Sequence, residues 1–136
     1  MKLMLTTVVA LALAGSALAT PRSATLTIRH QLRGCHSWSF NGSAWKAAQS
    51  ITLARGATLK IVDNDVMPHK LVQLSGPKAA MTHSAMAHMG ATATARFLAR
   101  GTYVFKTRPG EDYPMGGMKM KTIGEDNVLR LVVTVP

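Results

Sequence analysis

Short runs of alternating apolar and polar positions, each closed by a turn signal, recur along most of the chain. Residues 24–30 put Leu26, Ile28 and His30 on one face and Thr25, Thr27 and Arg29 on the other. A second run, 35–40, follows Gly34 and ends at Asn41-Gly42, a pair that favours a tight turn because both residues tolerate positive φ. Residues 50–54 and 57–63 flank Arg55-Gly56 and predict a hairpin, and 71–74 reads as a further strand. Alternation returns over 91–99, turns at Arg100-Gly101, and resumes over 102–108 with Tyr103, Phe105 and Thr107 on one side. Leu129, Leu131, Val133 and Val135 form a closing strand. Strands this short, separated by regular turns, predict an all-β sandwich.

Two stretches depart from that pattern. Residues 77–89 are rich in Ala, Met and His; with Ser75 or Gly76 able to cap the start and Gly90 the end, they predict a short helix or helical loop. Residues 109–125 are rich in Gly and Pro and predict a long loop of the kind that carries function. No internal repeat or linker divides the chain.

The N-terminus changes the picture of where the protein works. Lys2, an uncharged apolar run over 3–14, and Ala17-Leu18-Ala19 have the form of a cleavable export signal, with cleavage expected after Ala19. We therefore expect residues 1–19 to be a signal peptide and 20–136 to be one domain in a periplasmic or secreted protein. The apolar run is shorter than the roughly 20 residues needed to span a bilayer as a helix. The chain is basic, with 16 Lys and Arg against 6 Asp and Glu. Its cations are scattered, which suits a solvated surface or steering toward an acidic or membrane-associated protein partner; an exported chain has little occasion to meet nucleic acid. Cys35 is the single cysteine, so no intramolecular disulfide can form, and a lone exported thiol calls for burial, pairing between chains, or a metal.

Candidate chemistry starts at Asn64-Asp65-Val66-Met67-Pro68-His69, between two strand-like segments. Pro68 fixes its own φ and biases Met67 toward extended backbone, so His69 is presented with little conformational freedom left to lose. Neutral imidazole is a common metal ligand, and His69 is the leading candidate.

This corner, together with Gly101-Thr102-Tyr103-Val104-Phe105 and the order of the elements, resembles the cupredoxin family over residues 24–135. The resemblance implies a Greek-key β-sandwich with a copper ion held at one end. It also implies a Cys ligand after the Tyr-x-Phe strand, a His three residues on, and then a Met. In this chain Thr107 stands at the Cys position and Gly110 at the His position, while Met115, with Met118 close by, falls at the Met position. A hydroxyl cannot replace a thiolate as a soft copper ligand, so the usual blue-copper set does not form from this segment.

Other donors are present. Cys35 and His36 are adjacent on an early strand, so at most one faces the core unless a bulge intervenes; Cys35 would restore a thiolate. Met115, Met118 and Met120, set among glycines, offer soft thioethers suited to Cu(I). His83, Met86, His88 and Met89 form a second Met/His group, in which His83, Met86 and Met89 would share a helical stripe. The acidic pairs Asp63/Asp65, Glu111/Asp112 and Glu125/Asp126 read as turn residues, with no paired carboxylates for acid/base work, so no enzymatic activity is expected. The expectation is copper capture, handover or tolerance at a His/Met/(Cys) site. Electron transfer with a Cys35 thiolate, and a metal-free interaction module, are the alternatives.

Overall fold

Alternation writes two faces onto the longer strands, and their apolar faces meet in a sandwich of two five-stranded sheets. The computed structural model describes residues 18–30, 36–110 and 127–136. Its strands are β1 (Ser23–His30), β2 (His36–Phe40), β3 (Ala48–Thr52), β4 (Thr58–Asn64), β5 (His69–Ser75), β6 (Ala80–Thr82), β7 (Ala85–Met86), β8 (Thr92–Arg96), β9 (Gly101–Pro109) and β10 (Leu129–Val135). One sheet runs β2-β1-β4-β8-β6 and the other β3-β10-β9-β5-β7. Both sheets are mixed: β1 lies parallel to β4 and β3 parallel to β10, while the remaining pairs are antiparallel. This is the all-β sandwich that the sequence predicts.

Leu26 and Ile28 of β1, Leu59 and Ile61 of β4, Tyr103 and Phe105 of β9, and Leu129, Leu131 and Val133 of β10 are all fully buried. Burying each side chain of this size contributes about 1.5–3 kcal/mol. Phe97 anchors the aromatic centre, meeting Tyr103 and Phe105 edge to face at centroid distances of 4.8 and 6.1 Å. Asn41 and Gly42 both take positive φ, 46° and 77°, and Ser43 N–H closes the turn on Phe40 O at 2.8 Å.

Two local expectations are corrected. Residues 77–89 contain no helix. β6 instead pairs with β8, and β7 with β5. His83, at φ 52°, lies between these two short strands and breaks any helical path. Propensity for helix is overridden because each piece finds an open sheet edge. The segments flanking Arg55-Gly56 do not form a hairpin either: β3 belongs to one sheet and β4 to the other. Gly56, at φ 81°, and the Ala57 N–H to Ala54 O bond of 3.0 Å turn the chain across the sandwich.

Candidate metal centre

Three strands deliver one imidazole each to the same end of the sandwich. His30 ends β1 and His36 starts β2; they are directly opposed in the antiparallel pair, so both side chains leave the same face. His69 starts β5, in the other sheet. Asp65 sits in the corner after β4, where its N–H donates to Asp63 Oδ1 at 3.0 Å while its own Oδ1 accepts from Met67 N–H at 3.3 Å. These side chain to backbone bonds hold the corner ahead of Pro68, and both carboxylates are fully buried.

Asp65 is the hub. Oδ2 takes a close hydrogen bond with His36 Nδ1 and another with His69 Nε2 at 3.0 Å. His30 Nδ1 stands 3.6 Å from Oδ1, beyond hydrogen-bond reach, and is buried without a hydrogen-bond partner among the described residues. His30 and His36 meet edge to face at a centroid distance of 5.3 Å, as do His36 and His69. The ligand atoms of His30, His36 and Asp65 all lie within 4.8 Å of one another. His69 reaches the same carboxylate from the other sheet.

Burial by itself would raise the Asp65 carboxyl, because it penalises the charged form. The hydrogen bonds from His36 and His69, reinforced by their charge, outweigh it and hold Asp65 well below the usual carboxylate range. The site therefore sets a buried carboxylate among imidazole nitrogens that share protons with it, and a metal ion would take the place of those protons.

Outer contacts fix the rings. Asn127 grips the backbone of His36 on both sides, accepting from its N–H at 2.5 Å and donating to its carbonyl at 2.9 Å. Thr107 Oγ1 lies 3.2 Å from His69 Nδ1. The ring is thus held at Nδ1 by Thr107 and at Nε2 by the Asp65 carboxylate, contacts that fix its orientation. Gly110 N–H bonds Pro68 O at 2.8 Å, and a Cβ at Gly110 would come within 2.9 Å of Pro68 Cγ. A histidine at that position would have to displace the Pro68 corner.

Of the residues singled out from the sequence, the structure brings His36 and His69 together. Cys35, Met115, Met118 and Met120 lie outside the described residues. His83, His88 and Met89 are exposed, whereas Met86 is buried in the core on β7, directly opposite His69. The helical stripe of His83, Met86 and Met89 therefore does not exist. Asp65 was read as a turn residue and is instead the centre of the cluster. Its i, i+4 relation to His69 across a Pro-containing corner was the available signal. His30 could have been found from its place at the end of a strand paired with the strand that opens at His36.

No family model matches the chain, and no curated protein matches it. Among solved structures, the fold is similar to a multicopper oxidase at 16% identity and TM-score 0.44, covering 84% of this chain and 41% of that one. It is also similar to a multicopper oxidase from Campylobacter jejuni, described as a metallo-oxidase, at 17% identity and TM-score 0.43, covering 84% of this chain and 25% of that one. A third is a multi-copper oxidase from Pediococcus acidilactici, at 11% identity and TM-score 0.41, covering 88% and 29%. The chain spans less than half the length of each. The expectation of a non-enzyme is corrected on this finding, since these matched structures are oxidases by title.

Proposed function

We propose that the chain is an exported copper-binding protein whose centre is built from His30, His36, His69 and Asp65. The observation that carries this reading is the convergence of ligand atoms of His30, His36 and Asp65 within 4.8 Å of one another, with His30 Nδ1 lacking a hydrogen-bond partner among the described residues. A buried polar atom without a hydrogen bond costs about 1–3 kcal/mol, and a cation seated among the rings would satisfy it while displacing the protons they share with Asp65. Imidazole and carboxylate donors suit several divalent metals, and among first-row ions such a set binds Cu²⁺ most strongly. Bound copper would supply the soft, redox-capable ion, while the chain's own part is to fix the rings through Asn127 and Thr107. Export, with cleavage after Ala19, and a role in copper capture, handover or tolerance complete the proposal, with Met115 and Met118 as soft donors for Cu(I).

The test is a calorimetric titration of the metal-free chain with Cu²⁺. Binding tighter than micromolar is expected, weakened about 100-fold or more by His69→Ala or His30→Ala, at or beyond the upper end of what changes around a metal's ligands cost. Weaker binding, or indifference to both substitutions, overturns it. Cys35 directly precedes His36, which keeps electron transfer as the second reading. An intense visible thiolate-to-copper band, lost in Cys35→Ser, would select that one.

A further inference from the structure

The two acidic residues that the structure describes, Asp63 and Asp65, are both buried, while every described lysine and arginine is exposed. Among the described residues the surface is therefore cationic throughout, yet the cations are not equivalent. On and beside the first sheet three of them have local partners: Arg29 stacks over the Trp45 ring at 3.9 Å, and Arg55 and Arg96 donate to the carbonyls of Leu98 and Gly56 at 3.0 and 3.4 Å. The outer face of the second sheet is different.

There, Arg130 of β10 is directly opposite Lys106 of β9, and Arg108 of β9 is directly opposite Lys70 of β5. Lys106 and Arg108 are two apart on one strand, so all four cations share one face. Like charges directly opposed across strands are destabilising, and this face contains two such pairs side by side. None of the four pairs with a carboxylate among the described residues. An apolar strip adjoins them: Val104 and Val132 are opposed and half-buried, and Val72, opposite Lys106, is 37% exposed, with Leu74 at 45%. Arg108 and Lys70 also line, with His69 and Met86, a cavity of about 320 Å³. The charged face therefore reaches the histidine end of the sandwich.

We infer that the outer face of β10-β9-β5, centred on Lys106, Arg130, Arg108 and Lys70, is a docking surface for an acidic protein. Charge complementarity is the ground: carboxylates set between the opposed cations would convert two repulsive pairs into attractive ones. An apolar strip bordered by charge fits a protein interface, where a dry centre is rimmed by polar groups. A lipid surface suits it less, because the described outward residues of these strands include no aromatic side chain to enter the interfacial region. The inference is independent of the metal reading and places the partner beside the His69 cavity.

The experiment uses the full chain in the presence of a chelator and a fluorescent polyglutamate peptide of about ten residues as the acidic probe, with phosphatidylserine vesicles in parallel. The peptide is expected to bind, with affinity falling as salt rises, since the attraction is between exposed charges. Lys106→Glu with Arg130→Glu should weaken it about tenfold or more, whereas Lys60→Glu with Arg100→Glu, the same change in net charge placed elsewhere, should cost less than about threefold. If the first pair fails to fold, Lys106→Gln with Arg130→Gln takes its place, with about a fivefold loss expected. Equal losses from the two positions would mean that net charge alone is read, and would overturn the inference. So would binding to the vesicles without binding to the peptide.

Discussion

The chain has five histidines, and they divide into two groups that the same residue type does not make alike. His30, His36 and His69 converge at the end of the sandwich around a buried carboxylate. His83 and His88 are exposed along a shallow pocket of about 360 Å³ lined with Ala85, Ala87, Gly90 and Ala91, and no carboxylate among the described residues lines it. His88 turns its Nδ1 to the neighbouring Met89 carbonyl at 3.1 Å. The first group is held by strands of both sheets, by Asn127 and by Thr107; the second hangs on two short edge strands. A donor becomes a candidate ligand when the fold removes water from it and opposes it with charge.

The sharpest way to break the comparison is Asp65→Ala. It strips the carboxylate from all three rings, and removing one partner of a buried pair typically costs about 3–5 kcal/mol. Denaturant unfolding should show a loss at the lower end of that range or above, and Cu²⁺ binding should fall below detection. A loss under 1 kcal/mol would mean that Asp65 is not the hub.

Acid should undo the first group. The Asp65 carboxyl is depressed in the folded chain, so the unfolded chain takes up its proton first as pH falls. Its stabilising contribution is complete above an ordinary aspartate pKa of about 3.9 and is lost progressively below it. Unfolding midpoints measured from pH 6 downward should therefore fall below about pH 4, and fall less steeply in Asp65→Asn. Parallel curves would remove the carboxylate from the account.

Asn127→Ala tests the positioning of His36 without touching a ring. Losing both backbone bonds should cost about 1–2 kcal/mol and weaken Cu²⁺ about tenfold. Unchanged affinity with lowered stability would make Asn127 purely structural. The smallest effect is expected from His83→Ala with His88→Ala, which should change stability by less than about 0.5 kcal/mol and leave the affinity of the first group unaltered. A loss of the tightest Cu²⁺ binding in that variant would reverse the roles of the two groups.

Several features were legible in the residues themselves. Period-2 alternation in 24–30, 102–108 and 129–135 is a local property, and it determined the all-β class because each such strand needs a partner for its apolar face. Asn41-Gly42 specified its turn because few other pairs tolerate two positive φ values, and Pro68 marked the corner that sets His69 at the start of β5. The rest is non-local. Nothing near residues 77–89 announces that β8 and β5 have edges to fill, so an Ala-rich stretch that favours helix in isolation becomes strand. Nothing beside Arg55-Gly56 shows that its flanking strands part to opposite sheets. The candidate metal centre is the extreme case. His30, His36, Asp65 and His69 are drawn from both sheets, and only the closing of the sandwich turned an aspartate that reads as a turn residue into the charge around which three rings gather.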